Sequence, residues 1–382
     1  MPKNNTKDMD DVTPQADSAR KSGVDSSKDF NADSRIDSRA PESNAPESSA
    51  RKIGVVLLNM GGPTDIHSIE AFLKNIFSDP LTLRIKNNFM RKMVGNMIIA
   101  KRLEYVKQNY LKIGGSSPII KHTFNLTTTL NSLDSSKVYT YAMRYAPPFS
   151  IDVLQDLQAQ GVNDLVLFSM YPQFSSATIQ SSLIDTHNAL KTLSYKPRVS
   201  VIEHFSTHTP FYELVVDSIE RTLGGESAED FVLILSAHSL PQSVVDKGDP
   251  YVSHCEEGRQ IITQILQERG IKFSDIKLSY QSKVGPMRWL SPFTSDTIAK
   301  HAHKKILIYP LAFTIDNSET DYELSIEYRE LAERLGVEDY RVCPCMNDAH
   351  EFAKMIISLV EDKLAQIDSI VESALESIDS GK

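Results

Sequence analysis

The chain has 382 residues, of which 41% are hydrophobic and 24% charged, with a net charge of −9 at pH 7 and an isoelectric point near 5.6. This length and composition are typical of a soluble globular protein with one large domain or two smaller ones. The acidic balance argues against a nucleic-acid-binding protein, which normally presents a basic face.

The cysteine content and the hydropathy pattern indicate the cellular compartment of the protein. Three cysteines, Cys255, Cys343 and Cys345, suit a reducing environment better than a disulfide framework. No apolar run approaches the roughly 18 residues that a membrane-spanning helix needs, and no signal peptide is visible. The sequence therefore predicts a cytoplasmic protein.

Residues 1–50 differ in composition from the rest of the chain. They are rich in Ser, Asp, Asn, Ala and Pro and contain a single aromatic residue, Phe30. Such a segment buries too little apolar surface to offset its ordering entropy, so we expect a disordered extension. Ten acidic against seven basic residues argue against a mitochondrial presequence. A solvated extension is favoured over a partner-binding tail.

From Ile53 onward, short apolar runs alternate with longer amphipathic stretches. The runs have the length and the β-branched or aromatic content of strands, and stretches such as 256–269 and 322–335 have helical spacing. Strands that alternate with helices predict parallel sheets flanked by helices. The predicted strands are 53–58, 138–143, 164–170, 198–205, 231–236, 276–282, 304–313 and 340–345.

A faint internal repeat divides this region into two halves. VVLLNMGGP (55–63) is similar to VLILSAHSLP (232–241), and LFSMYPQFSS (167–176) is similar to ILIYPLAFTID (306–316). We therefore predict two similar α/β halves, 51–206 and 207–382, the second with a terminal helix. In such folds ligands bind beyond the carboxyl ends of the strands.

His238 and an acidic segment lie at two of these predicted strand ends. A histidine there can act as a general base or a metal ligand, although core histidines are common. In FTIDNSETDYELSIEY (313–328), an α-helix would align Glu319, Glu323 and Glu327 on one face, with Asp316 as its N-cap. The row of carboxylates predicts either a solvated, capped helix or a path for protons or a divalent metal ion.

Other motifs allow two interpretations each. The glycine pairs in LNMGGP (58–63) and YLKIGGSSPI (110–119) match no nucleotide-binding loop, and they either turn the chain or bring backbone close to a ligand. Arg144 in MRYAPP predicts either a carboxylate contact on a ligand or a structural ion pair. The basic, methionine-rich segment 85–112 predicts an exposed helix, a pocket lip or a weak membrane-surface contact.

Several of these motifs together resemble those of ferrochelatases, which insert ferrous iron into a porphyrin. The resemblance covers residues 53 to about 348 and implies a chelatase-type fold, with two similar halves and a cleft between them. The matching motifs are LNMGGP, KIGGSSPI, MRY, YPQFSS, LSAHSLPQSVVDKGDPY, YQSKVGPMRWLSPFT and FTIDNSETDYELSIEY.

The resemblance assigns roles to individual residues of this sequence. It implies that His238 lies over the porphyrin centre as catalytic base and metal ligand, with Glu319 facing it across the cleft in the same two roles. It places Asp316 and Glu323 on a proton or metal path. Two positions depart from the family pattern, because Asn317 replaces a frequent histidine and Arg288 replaces a common proline.

The porphyrin pocket is implied in the same way. The resemblance assigns Met60 to the side of the macrocycle opposite His238, and it places Arg144, Tyr145 and Trp289 along the pocket. The substrates would be a porphyrin and ferrous iron. We expect no nucleic-acid partner. A weak peripheral membrane contact through 85–112 stays an alternative for that segment. No tightly bound cofactor is expected, because three cysteines cannot supply a four-cysteine iron–sulfur cluster.

The resemblance thus implies a lyase that inserts ferrous iron into protoporphyrin IX to form haem b. Two alternatives remain at this point. The substrate could be coproporphyrin III, or the chain could be a tetrapyrrole carrier without catalytic activity.

Overall fold

Two four-stranded parallel sheets with the same strand order organise the fold. The computed structural model describes residues 51–285 and 287–379, so the predicted N-terminal extension lies outside the described residues. In each sheet the order is second, first, third and fourth strand along the chain. The strands are β1 (Ile53–Asn59), β2 (Lys137–Met143), β3 (Asp164–Ser169), β4 (Arg198–Ile202), β5 (Phe231–His238), β6 (Asp275–Gln281), β7 (Lys305–Pro310) and β8 (Tyr340–Val342).

Helices connect the strands, as parallel pairing requires. In the described residues they are α1 (Ile69–Ser78), α2 (Pro80–Leu83), α3 (Asn88–Lys112), α4 (Ile119–Leu133), α5 (Ser150–Ala159), α6 (Ser181–Thr192), α7 (Thr209–Leu223), α8 (Gln242–Val245), α9 (Tyr251–Glu268), α10 (Thr294–Lys300), α11 (Tyr328–Arg334) and α12 (His350–Asp379). A 3₁₀ turn (Ala228–Asp230) precedes β5, and wider π-helical turns occur at Ser176–Gln180 and Glu319–Glu327.

The central strands β1, β3, β5 and β7 are buried along nearly their whole length because both faces of each sheet are covered there. In β1, Val55 and Leu57 pack into a central core to which both sheets contribute, whereas Val56 and Leu58 pack outward against α5 and α6. In β5, Leu233 faces the same central core. Each such side chain contributes roughly 1.5–3 kcal/mol when fully buried. This two-sided burial explains why the sequence shows short continuous apolar runs instead of alternation.

The structure confirms the predicted α/β fold with two similar sheets flanked by helices. The first sheet uses residues 53–202 and the second 231–342, and the contacts of the described chain fall within one unit, Ala50–Lys382. The exact domain boundary at 206/207 stays a prediction. Four predicted strands, β3, β4, β7 and β8, are shorter in the structure. The last ends at Val342, two residues before Pro344, which has no N–H to donate.

Among the helices of the described residues, none combines the length and the apolar character needed to cross a bilayer.

Candidate functional site

The carboxyl ends of strands from both sheets border one narrow crevice. Its lining includes Met60 after β1, Tyr171 after β3, and Phe313 and Asn317 after β7. Ligands of open α/β sheets bind at such ends, because the loops there diverge and leave room between them. The crevice therefore lies where the sequence predicts the site.

His238 and Glu319 are brought into contact at the ends of two neighbouring strands. His238 is the last residue of β5, and Glu319 follows β7, which pairs with β5 in parallel register. The Nδ1 atom of His238 lies 2.8 Å from Oε2 of Glu319, and the two side chains are 36% and 23% exposed. The predicted pair is thus formed and remains open to solvent on one side.

The contact orients the imidazole ring. A carboxylate can only accept at Nδ1, so the neutral ring carries its hydrogen there and keeps the Nε2 lone pair free. The ring of Phe313 lies edge-on to that of His238, with centroids 6.4 Å apart. The hydroxyl of Tyr251 donates to the main-chain oxygen of His238 at 3.0 Å. His238 is therefore fixed at both its backbone and its ring.

The surroundings raise the pKa of His238. Burial alone would lower this pKa, but the negative charge and hydrogen bond of Glu319, together with the charge of Glu323, outweigh it. Because the folded-state pKa is raised, the protonated pair stabilises the fold below the ordinary histidine pKa. That contribution is lost as the pH rises through the folded-state pKa.

Glu319 begins a π-helix, Glu319–Glu327, instead of the predicted α-helix. The prediction that Asp316 caps this helix is wrong: Asn317 Oδ1 accepts the Glu319 N–H at 2.8 Å. Asp316 accepts from Asn347 Nδ2 at 2.6 Å and from the Cys345 N–H at 3.3 Å. The capping role thus belongs to Asn317.

The predicted row of carboxylates takes three different environments. Glu319 contacts His238, whereas the half-buried Glu323 accepts hydrogen bonds from Gln281, Ser282 and Tyr328. Burial, and next the charge of Glu319, raise the pKa of Glu323. Glu327 lies further along, and its pKa is raised mainly by burial. The row is therefore more than a solvated stripe.

Arg144 and Tyr145 belong to a network centred on the buried carboxylate of Asp79. Arg144 Nη2 and the Tyr145 hydroxyl donate to Asp79 Oδ2 at 3.0 and 2.9 Å, and Ser181 donates to the same oxygen. A second guanidinium nitrogen of Arg144 lies 3.3 Å from Asp185. The structure therefore contains the structural ion pair that the sequence left open for Arg144.

Trp289 is held against the loop that follows His238. It pairs with Pro241 through an isolated antiparallel bridge, and its indole N–H donates to the Val284 carbonyl at 3.0 Å. The side chain is half-buried, whereas its neighbour Arg288 is exposed. Trp289 thus lies beside the loop that carries His238.

The glycine pair after Met60 serves loop packing. Gly61 has a φ of +79°, and a Cβ at Gly62 would lie 2.4 Å from the Cβ of Ser117. Only glycine allows this close approach between the first loop and the segment before α4. Loop packing therefore accounts for both glycines without a ligand contact.

The thiols and the larger cavity do not contribute to this site. Cys255, Cys343 and Cys345 are buried and free, and the described residues contain no cluster of three or more His, Cys, Asp or Glu side chains arranged for a metal ion. A cavity of about 280 Å³ lies between α1 and α3 and includes none of the predicted site residues.

Sequence reasoning missed four residues that shape the site: Tyr171, Phe313, Asp79 and Tyr110. Tyr171 belongs to the Tyr-Pro step of the internal repeat, and Asp79 directly precedes a proline, which is typical of a helix start. The hydroxyl of Tyr110 donates to Ser318 Oγ at 3.1 Å and so ties α3 to the start of the π-helix. No local signal predicts that last contact, because the two residues are 208 positions apart.

Comparisons with known proteins show the family to which the chain belongs. The family model described as Ferrochelatase matches residues 52–364. A ferrochelatase of Helicobacter pylori (strain HPAG1) is 53% identical over 322 residues, which cover 84% of this chain and 96% of the relative. A ferrochelatase of Helicobacter hepaticus is 50% identical over 305 residues, which cover 80% and 98% of the two chains.

A solved structure supports the fold assignment alone. The structure described as SirB from Bacillus subtilis with Fe3+ matches 83% of this chain and 98% of its own, with a TM-score of 0.51 at 8% identity. The predicted chelatase-type fold is thereby confirmed.

The His238–Glu319 contact predicts the outcome of a titration. Replacing Glu319 by glutamine removes the charge that raises the His238 pKa but leaves the burial that lowers it. We therefore expect Glu319→Gln to lower the pKa of His238 below its ordinary value of 6.5. NMR titration of the imidazole measures this, with the exposed Glu333→Gln as control. An unchanged His238 pKa in Glu319→Gln would show that the contact is absent in solution.

Proposed function

The chain belongs to the ferrochelatase family, and we propose that it inserts ferrous iron into protoporphyrin IX to form haem b. Membership of this family implies metal insertion into a porphyrin, with ferrous iron and a porphyrin as substrates. The observation that carries the proposal is the His238–Glu319 contact beside Phe313, which lines the crevice. By reaction type we assign the enzyme to the lyases.

His238 supplies the proton acceptor that this reaction needs. A free porphyrin carries two pyrrolic N–H groups, and both protons must leave when the metal ion enters. His238 takes them one at a time and passes each to solvent, because its side chain is 36% exposed. A neutral His238 bonded to Glu319 through Nδ1 presents Nε2 as the base. Glu319 stabilises the imidazolium that forms, and the same interaction raises the pKa of His238. The pair can therefore accept a proton without leaving its position.

The same pair suits a metal ion that must be released to the substrate. One imidazole and one carboxylate hold ferrous iron with exchangeable positions left for water, whereas a thiolate cage would retain it. The buried thiols support this assignment, because burial raises the pKa of Cys343 to about 12. We propose His238 and Glu319 as the transient iron ligands, with no tightly bound cofactor. His238 would bind iron through Nε2 and accept a proton there only after the iron has left it.

We propose that apolar side chains around the crevice contact the planar porphyrin. Met60, Tyr171 and Phe313 line the crevice, and we propose that Met60 faces the macrocycle opposite His238. Trp289 is proposed to close the side next to the His238 loop. We propose that Arg144 and Tyr145 shape the pocket through Asp79, because their polar atoms are already bonded to protein groups.

The predicted proton or metal path through Asp316 and Glu323 stays a prediction. Both carboxylates accept hydrogen bonds from protein donors. Passage of a proton or a metal ion through either one would require these bonds to rearrange.

Anaerobic absorbance spectroscopy tests the proposed function. The protein is mixed with ferrous iron and either protoporphyrin IX or coproporphyrin III, and the free-porphyrin bands are followed. We expect catalytic loss of the protoporphyrin spectrum with growth of the haem spectrum. Turnover of coproporphyrin III alone would identify that substrate instead. Binding shifts without turnover on either porphyrin would support the carrier alternative.

We also propose that the protein is cytoplasmic and contacts a membrane surface weakly through α3. This helix exposes Phe89, Met93 and Met97 by 75%, 50% and 54%. Lysine and arginine residues accompany them, as is typical of interfacial helices.

Co-sedimentation with vesicles that contain anionic lipids tests the membrane contact. We expect binding at low ionic strength that weakens in Met93→Glu. Equal recovery of the protein with and without vesicles would contradict the contact.

A further inference from the structure

Four protein donors surround the carboxylate of Glu323. Ser282 donates its main-chain N–H to Oε1 at 2.8 Å and its hydroxyl to Oε2. The Tyr328 hydroxyl donates to Oε1 at 2.8 Å, and Gln281 Nε2 donates to Oε2 at 3.3 Å. A carboxylate offers about four acceptor positions, so protein groups fill all of them. Glu323 therefore has no free position for a metal ion unless a bond breaks.

The backbone of Ser282 is specialised for this contact. Its φ is +68°, in the left-handed region that is unfavourable for a residue with a Cβ atom. In this conformation, the N–H and the hydroxyl of one residue both reach the same carboxylate. Backbone strain of this kind persists only where the surrounding structure enforces it.

The donors are fixed to the strand pair that carries His238. Gln281 ends β6 directly opposite His238 in the register of β5 with β6. Its Oε1 accepts from the buried hydroxyl of Ser236 at 2.6 Å, and Ser236 is bonded in turn to Thr294 at 2.8 Å. These three polar side chains are buried. The β6 end is therefore a rigid support.

Glu323 connects this support to Glu319. The two glutamates are four residues apart in the same π-helix, so a shift of Glu323 displaces Glu319 as well. The contacts therefore form a closed circuit. His238 contacts Glu319, and the π-helix connects Glu319 to Glu323. Glu323 is bonded to Ser282 and Gln281, which belong to the end of β6 beside His238.

We propose that Ser282 and Glu323 form an anchor that positions Glu319 on His238, and that Glu323 does not carry iron. This inference rests on the proposed function, because it assigns a positioning role within that site. The anchor gives the sequence's row of carboxylates a divided role: Glu319 acts on the substrates, and Glu323 holds the helix in place.

Kinetics of Ser282→Ala, Glu323→Gln and the double variant test the anchor. They are measured with ferrous iron and whichever of the two porphyrins the wild type converts. We expect each single variant to lower kcat about tenfold, because small displacements of a catalytic group are costly. The iron KM should stay within about twofold of wild type, since neither residue binds iron. The double variant should lose no more than the worse single variant, because both changes break one unit.

Ser274→Ala is the matched control, since it removes one serine hydroxyl that donates to the Phe231 carbonyl at 2.7 Å, at the far end of the same strand pair. It should keep the wild-type kcat. An increased iron KM in Glu323→Gln but not in Ser282→Ala would overturn the proposal, because it would place iron on Glu323. Wild-type kcat in Ser282→Ala, or multiplied losses in the double variant, would overturn it as well.

Ser282→Gly keeps the test decisive if Ser282→Ala fails to fold. Glycine adopts this φ without strain and keeps the main-chain N–H but lacks the hydroxyl. We expect it to melt at a higher temperature than Ser282→Ala, with the same loss of kcat. Wild-type kcat in Ser282→Gly would overturn the proposal. Failure of the wild type to convert either porphyrin would instead reject the proposed function.

Discussion

The site depends on the contact between His238 and Glu319, and that contact depends on parallel strand pairing. β5 and β7 are neighbours whose register is set by main-chain hydrogen bonds from Phe231 to Ser236. The two strands therefore end side by side, which places His238 at the end of β5 and the segment after β7 next to it. The π-helix that begins at Glu319 completes the contact at 2.8 Å.

The π-helix determines which carboxylate reaches the histidine. π-Helical turns are rare, and they are frequent at functional sites. Here Asn317 caps the first turn, and Tyr110 holds the preceding Ser318 from the other half of the molecule. The first sheet has a shorter π-turn, Ser176–Gln180, at the matching place after β3. The repeat seen in the sequence thus extends to this unusual backbone.

The predictable part of the structure is the part governed by local pattern. Apolar runs of strand length predicted both sheets, and the repeat of VVLLNMGGP in VLILSAHSLP predicted their similarity. The position of His238 at a strand end followed from the same pattern. The family resemblance then paired His238 with Glu319, which composition and spacing could not do.

The remaining features depend on contacts between distant residues or on backbone detail. Arg144 is bonded to Asp79, 65 positions away, and nothing in MRYAPP indicates that partner. Periodicity does not distinguish a π-helix from an α-helix over two turns. Asp316 and Asn317 are adjacent and both are favoured cap residues, so the sequence does not show which of them caps the helix. The sequence does not predict the left-handed backbone of Ser282 either, because serine rarely adopts that conformation.

The most direct test of the account is whether His238→Ala still inserts metal. Insertion is measured by anaerobic absorbance spectroscopy with ferrous iron and porphyrin. Porphyrin binding and circular dichroism verify that the variant is folded, and the exposed His67→Ala serves as control. The account predicts that His238→Ala still binds porphyrin but turns over at least about 100-fold more slowly, since it lacks the base. Near-normal turnover in His238→Ala would contradict the central role of the His238–Glu319 pair.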